Sequence, residues 1–295
     1  MSLGNDLQSK LSNLEDFASL TKSVLQYLPA VTTDYSDKSP YRIHIISQAG
    51  TTKYIRPINM SMFVTDVEKF ENQFHLFTSI LARIASGQRT FDLTELRTID
   101  NTIYTIQQSI GAGLDLFVNP NSARKHVGNR FEELIKCVFT AIGIANKKAV
   151  LQIPYQTDQG EKIYKCENDL ILSPFAKVKS SSKDLNEREV VVSIKTTSKD
   201  RMGKIFIDKM LLERFVNHPQ KVIGIFLNDV QRKDENNISY TLVSGLFMVY
   251  TSFLTELEGI YYLDAPPNTN KQPYSDHMKK FSDLITQDIW DLLAP

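Results

Sequence analysis

Four positions in this sequence carry residue types at spacings that can do chemistry. In "KIYKCENDLILSP", residues 162–174, Glu167 and Asp169 stand two apart. On a strand, side chains alternate, so both carboxylates share one face while Tyr164, Cys166, Leu170 and Leu172 share the other, interrupted by Asn168. Two carboxylates side by side repel each other unless a positive charge lies between them, and a divalent cation supplies one. In "VVVSIK", Val190, Val192 and Ile194 point one way and Val191, Ser193 and Lys195 the other. If this strand pairs with 162–173, Lys195 comes onto the face of Asp169. A lysine beside metal-binding carboxylates suits phosphodiester hydrolysis: it orients or helps deprotonate the attacking water, or offsets charge building on the phosphate.

Asp208 lies thirteen positions after Lys195. On a helix over 203–217 it shares spacings of 3, 4 and 7 with Ile205, Leu212 and Phe215, an inward stripe where an unpaired acid would be costly. A metal or a lysine near the sheet end would relieve that cost. Glu132, in "GNRFEE", shares a helix flank with Ile135 and Phe139, whereas Glu133 sides with Lys136 and Cys137. Glu132 is therefore the favoured auxiliary acid, with Glu133 and Glu167 left open.

Asn168-Asp169 together with Ser193-Ile194-Lys195 resembles the PD-(D/E)xK nuclease superfamily, with Asn in place of Pro and Ser in place of the second acid. That loss resembles one subgroup of type II restriction endonucleases, those reading CCGG, CCNGG or CCWGG sites. Their motif is (S/T)-x-K-x12/13-(E/D), and Asp208 falls where it requires an acid. The resemblance covers roughly residues 120–250. It implies a restriction-endonuclease-like α/β core, Mg2+ held by Asp169 and Asp208, Lys195 near the water, and Glu132 in the G-x-x-(hydrophobic)-E setting of a supporting helix acid. It also implies double-stranded DNA as partner and a homodimer, or a tetramer, because two-fold symmetry matches a palindrome.

In the same subgroup a cluster of Arg and acidic residues after the lysine enters the major groove. Lys199, Asp200 and Arg201 match it in type: Arg or Lys donates to guanine O6/N7 and an acid accepts from cytosine N4. These residues also suit a helix start, with Ser198 or Asp200 as cap. Arg232, in the polar loop after "GIFLND", is the other candidate reader.

The elements that must position these residues follow from periodicity. Helical spacing marks 5–29, 65–87 and 93–115, with "PAVTTDYSDKSP" as a loop and a hairpin over 41–60. A boundary near 118/119 separates this mainly helical region from the core. There, Asn119-Pro120-Asn121-Ser122 starts a helix over 122–143. Strands are expected at 149–155, 162–173, 189–196, 221–228 and 239–250, with the 203–217 helix between the third and fourth. That order gives a central mixed sheet flanked by helices. A last helix over 274–293 is available for dimer contacts.

Composition narrows the class. The 295 residues are 42% hydrophobic and 23% charged, ordinary for a globular protein and unlike a disordered or fibrous one. Lys+Arg and Asp+Glu are 34 each, so any DNA-binding surface must be a local basic cleft; Ser193 to Lys209 holds five cations against two acids. Two cysteines, Cys137 and Cys166, cannot make a zinc site alone, and "MSLGNDLQSK" has no apolar signal core, so a cytoplasmic protein with reduced thiols is expected. Two other readings compete with restriction. A DNA-repair or structure-specific nuclease on the same core would cut branched, damaged or single-stranded DNA rather than give a fixed ladder. A non-catalytic DNA-binding protein with a degenerate nuclease fold would bind DNA regardless of Mg2+ or Asp169.

Overall fold

The computed structural model of the protein describes residues 3–48, 50–198 and 201–294. The first expected helix is two: α1 (Leu3–Gln8) and α2 (Leu14–Val31), because Asn13 accepts the Asp16 N–H and caps α2 afresh. A small antiparallel sheet follows, β1 (Asp34–Lys38), β2 (Tyr41–Gln48), β3 (Thr51–Tyr54) and β4 (Ile58–Asn59), with β2 paired to the other three. The expected loop before Tyr41 thus contains β1. Its side chains are nearly all exposed, so it shows no apolar pattern, and backbone pairing with β2 makes the strand. Next come α3 (Val67–Ala85) and α4 (Leu93–Phe117), capped by Asp66 and by an Asp92–Glu95 capping box. α5 (Pro120–Ala141) starts on the Asn119 cap with Pro120 in its first turn, as the sequence predicts.

The main sheet has six strands in the order β12-β11-β8-β7-β6-β5. β5 (Ala145–Thr157), β6 (Gly160–Ser173) and β7 (Val190–Thr197) pair antiparallel; β8 (Lys221–Asn228) joins β7 in parallel. α6 (Arg201–Val216) makes the crossover connection that the parallel strands β7 and β8 need. The stretch expected as a strand over 239–250 is instead the end of a hairpin, β9 (Val230–Lys233) with β10 (Asn237–Tyr240), followed by helix α7 (Ser244–Phe253). A short apolar run such as "LVSGLFMVY" does not separate helix from strand. β11 (Gly259–Tyr262) and β12 (Met278–Lys280) complete the parallel side. The expected C-terminal helix therefore begins only at Phe281, as α8 (Phe281–Asp283), a π turn (Leu284–Asp288) and α9 (Ile289–Leu292). Its apolar side is not free for a partner: Phe281, Leu284, Ile285 and Ile289 are fully buried in the core, and α8 packs on α4.

Alternation along the strands divides the interior. Val190, Val192, Ile194, Ile223, Ile225 and Leu227 join one apolar cluster with α2 to α5, and Val191, Val222 and Phe226 join a second beneath α6 and α7. The first cluster runs without a break across the α4–α5 junction at 118/119, joining Ile110 to Phe131 and Val192. On the second face α6 lies close to the sheet: a Cβ at Gly224 would sit 3.1 Å from Ile205 Cδ1 of α6, and 2.7 Å from Ile260 Cδ1 of the neighbouring β11. No helix among the described residues is long and apolar enough to cross a membrane.

Candidate active site

β6 and β7 share only three rungs, Leu172–Val190, Ile171–Val191 and Leu170–Val192, and then part. Asp169 stands at this fork. Its Oδ2 accepts the Ile194 N–H at 2.8 Å, occupying the place of the next ladder partner, and forms an ion pair with Lys195. Both side chains are mostly buried, 12% exposed for Asp169 and 19% for Lys195. The separation of the strands thus delivers a carboxylate and an ammonium to one cleft, as the sequence pattern predicts.

A bulge sets the direction of Asp169. β5 and β6 pair at Lys147–Ile171 and again at Ala149–Asn168, so three steps on β6 match two on β5. As a result Asp169 and Leu170, adjacent in sequence, line the same cavity beside α5. This corrects the simple alternation read from the sequence: Leu170 and Leu172 belong to the α5-side cluster, whereas Cys166 belongs to the α6-side one. Glu167 lies on the α5 side, exposed, 3.8 Å from Lys148.

Glu132 reaches this cleft from α5. Its Oε2 accepts from Lys148 Nζ at 3.2 Å. Burial raises its pKa, and the Asp169 carboxylate raises it further, against the pull of Lys148 and Lys195. Glu133 is turned away, bonded to Arg130 at 3.0 Å and to the Leu11 N–H at 3.2 Å, so it braces the α1–α2 connection against α5. A cavity of about 760 Å3 runs from Asp169, Glu132 and Lys148 along α5 to Leu11 and Leu14.

Asp208 sits at the edge of α6, 26% exposed, with both carboxylate oxygens 2.6 Å from Lys204 Nζ. The inward stripe expected to include it is Met202, Ile205, Phe206, Lys209 and Leu212. Lys209 takes the buried polar place, neutralised by Glu258 at 2.7 Å and donating to the Glu256 carbonyl. Asp208 lies on the α6 side of the sheet, near enough to add to the burial that raises the Cys166 thiol pKa, and the alternation of β7 puts Ser193 on that same side.

Asp169, Lys195 and Glu132 thus come together, and the sequence missed the fourth member, Lys148. Nothing in its local pattern marks it; it enters through the β5–β6 bulge. In donor chemistry, Asp169 and Glu132 fit a hard divalent cation, which takes anionic oxygens and relieves their mutual repulsion. Among the described residues no group of three or more His, Cys, Asp or Glu side chains converges on a single point.

Of the candidate readers, Lys199 and Asp200 lie outside the described residues. Arg201 is exposed at the first position of α6. Arg232 is exposed on the β9–β10 hairpin, donating to the Asp234 carbonyl at 2.7 Å, with the Tyr54 ring 5.7 Å away. The two segments are tied beneath the surface: buried Asp229 accepts from Ser198 Oγ and from Thr241 Oγ1, and Tyr262 donates to Ser198.

No family model matches the sequence, and no curated protein matches it. Among solved structures, the type IIP restriction endonuclease Kpn2I is similar over 99% of this chain and 97% of its own, with a TM-score of 0.73 and 18% identity. The restriction endonuclease PspGI in a substrate DNA complex matches 76% of this chain and 92% of its own at 12% identity, and its TM-score of 0.43 is too low to carry an argument. The likeness to Kpn2I establishes the fold as restriction-endonuclease-like.

Proposed function

We propose that this chain is a Mg2+-dependent type II restriction endonuclease that hydrolyses phosphodiester bonds in double-stranded DNA at a G/C-rich palindromic site. The observation that carries the reading is the fork itself: Asp169 and Lys195 ion-paired where β6 and β7 part, with Glu132 beside them. A fold shared with Kpn2I supports DNA cleavage as the class of activity.

Asp169 and Glu132 would hold the metal; Asp208, the other ligand expected from the sequence, is held by Lys204 on the α6 side of the sheet and is not brought together with them. Bound Mg2+ supplies Lewis-acid activation of the phosphate and of the attacking water. Lys195 keeps its ammonium at the cleft through Asp169, where it orients the water and stabilises charge on the phosphate oxygens. Asp169 in turn is oriented by the Ile194 N–H, so the acid and the lysine share one rigid anchor on β7. Arg201 and Arg232 are the described candidates for reading base edges, as Lys199 and Asp200 are from the sequence: Arg and Lys would donate to guanine and Asp would accept from cytosine. The Asp229 network keeps the two reading segments in register with each other.

The enzyme acts as a homodimer, since two strands of a palindrome require two related active sites. Exposed apolar side chains on α7, Leu246, Val249 and Phe253, support a second copy as the partner there. The test is incubation of the purified protein with phage DNA and Mg2+. Discrete fragments are expected from wild type and none from Lys195→Ala. Cutting confined to branched or single-stranded DNA would move the assignment to a structure-specific nuclease, and no cutting of any DNA would overturn it.

A further inference from the structure

Lys148 is a second lysine in the fork that the motif does not contain. It stands on β5 opposite two β6 residues, Asp169 and Leu170, at the bulge between the Lys147–Ile171 and Ala149–Asn168 rungs. Its Nζ donates to Glu132 at 3.2 Å and lies 3.8 Å from Glu167. Burial works against its charge, yet Glu132, Asp169 and Glu167 together outweigh burial and raise its pKa. Three carboxylates therefore face two ammonium groups, Lys148 and Lys195, in one cleft.

The two lysines are held differently. Lys195 is 19% exposed and tied to Asp169, on a strand flanked by neighbours on both sides. Lys148 is 50% exposed, on the edge strand of the sheet, and its one hydrogen bond at the fork goes to the carboxylate a cation would take. An ammonium is a flexible point charge on a long stem, suited to changing partners.

We propose that Lys148 is a displaceable placeholder. It neutralises Glu132 while no metal is bound, gives up that carboxylate to an arriving divalent cation, and then pairs with a phosphate oxygen of the bound DNA. This rests on the metal-dependent nuclease reading above. Lys148 then links the two binding events: metal frees the lysine, and the freed lysine holds the substrate.

The experiment compares full-length wild type, Lys148→Met, Lys148→Arg and Asp169→Ala. Mn2+ binding is measured by calorimetry without DNA, and cleavage rate is measured at saturating Mg2+. Removing a competing charge beside the ligand should tighten Mn2+ binding by about tenfold in Lys148→Met. Loss of the phosphate partner should slow its cleavage by about a hundredfold. Lys148→Arg should keep wild-type Mn2+ affinity and recover part of the rate. Thermal melting confirms that each variant is folded. Unchanged Mn2+ affinity in Lys148→Met, where Asp169→Ala loses binding, overturns the placeholder role and leaves the nuclease reading standing. A wild-type cleavage rate in Lys148→Met overturns the phosphate contact. No Mn2+ binding and no cleavage by wild type overturns both readings together.

Discussion

The acids at the fork and the acids in the interior are built on opposite plans. At the fork, Asp169 and Glu132 are paired with lysines and reach a cavity open to solvent. In the interior, three acids take their hydrogen bonds from hydroxyl, amide and backbone groups. Asp100 accepts from the Ser282 N–H and Oγ at 2.9 and 2.8 Å. Asp264 accepts from Tyr41 Oη at 3.0 Å and Asn59 Nδ2 at 2.8 Å. Asp229 accepts from Ser198 and Thr241. Each interior acid lies at a junction: α4 with the C-terminal helix, the N-terminal sheet with the end of β11, and β8 with the start of α6. A carboxylate paired with a flexible ammonium can exchange partners. One sealed among neutral donors holds elements in place, and at Asp100 and Asp264 burial raises the pKa. The proposed site and the architecture thus use the same residue type with different partners.

Substitution at the fork breaks the comparison most sharply. Asp169→Asn and Lys195→Ala should each lower DNA cleavage by about a thousandfold or more, as expected when a group acting on the reacting atoms is lost. Each also leaves a mostly buried charge without its partner, so stability should fall by about 3 kcal/mol while the protein stays folded. Cleavage rates and thermal melting check this. A large loss of stability without a loss of rate per folded molecule would make the fork pair structural.

Much of that fork was legible in the sequence, for a physical reason. Asp169 and Lys195 stand at the ends of apolar runs, residues 170–172 and 190–194, where an adjoining charge stands out. The Asn119-Pro120 helix start and the Glu132 flank were legible because caps and helical faces are local. Lys148 was not, since the β5–β6 bulge depends on which rungs two strands share. Asp208 looked inward because spacings of 3 and 4 do not fix which edge of a helix meets the sheet; packing of Phe206 and Lys209 decides it. β1 and β12 were missed because each is made by its neighbour's backbone rather than by its own side chains. The interior acids were invisible for the same reason: Tyr41 and Asp264 are 223 residues apart in sequence.

Asp264→Ala tests the interior plan. Tyr41 Oη and Asn59 Nδ2 would lose their buried acceptor, at a cost of about 3 kcal/mol for two unsatisfied donors. Urea unfolding should show the loss, while cleavage per folded molecule stays at the wild-type level. Unaltered stability would mean that the N-terminal sheet and the core do not depend on this link.

The smaller effect concerns Asp100, whose carboxyl burial pushes up to about 7, against an unfolded value near 4. Between those values the folded protein holds a proton that the unfolded chain has released. Folding therefore binds more protons, and stability must fall as pH rises from about 4 to 7 and level off above. Asp264, pushed up to about 6, adds a similar slope over a lower window. Asp100→Asn removes one of the two. An amide oxygen still accepts the Ser282 N–H, so the variant keeps that junction while losing the titration. Urea unfolding from pH 5 to 8 should show wild type losing about 2 kcal/mol more than the variant across that range. Parallel curves would mean that Asp100 does not hold its proton in the folded state, and that the junction it makes tolerates a buried charge as readily as the fork does.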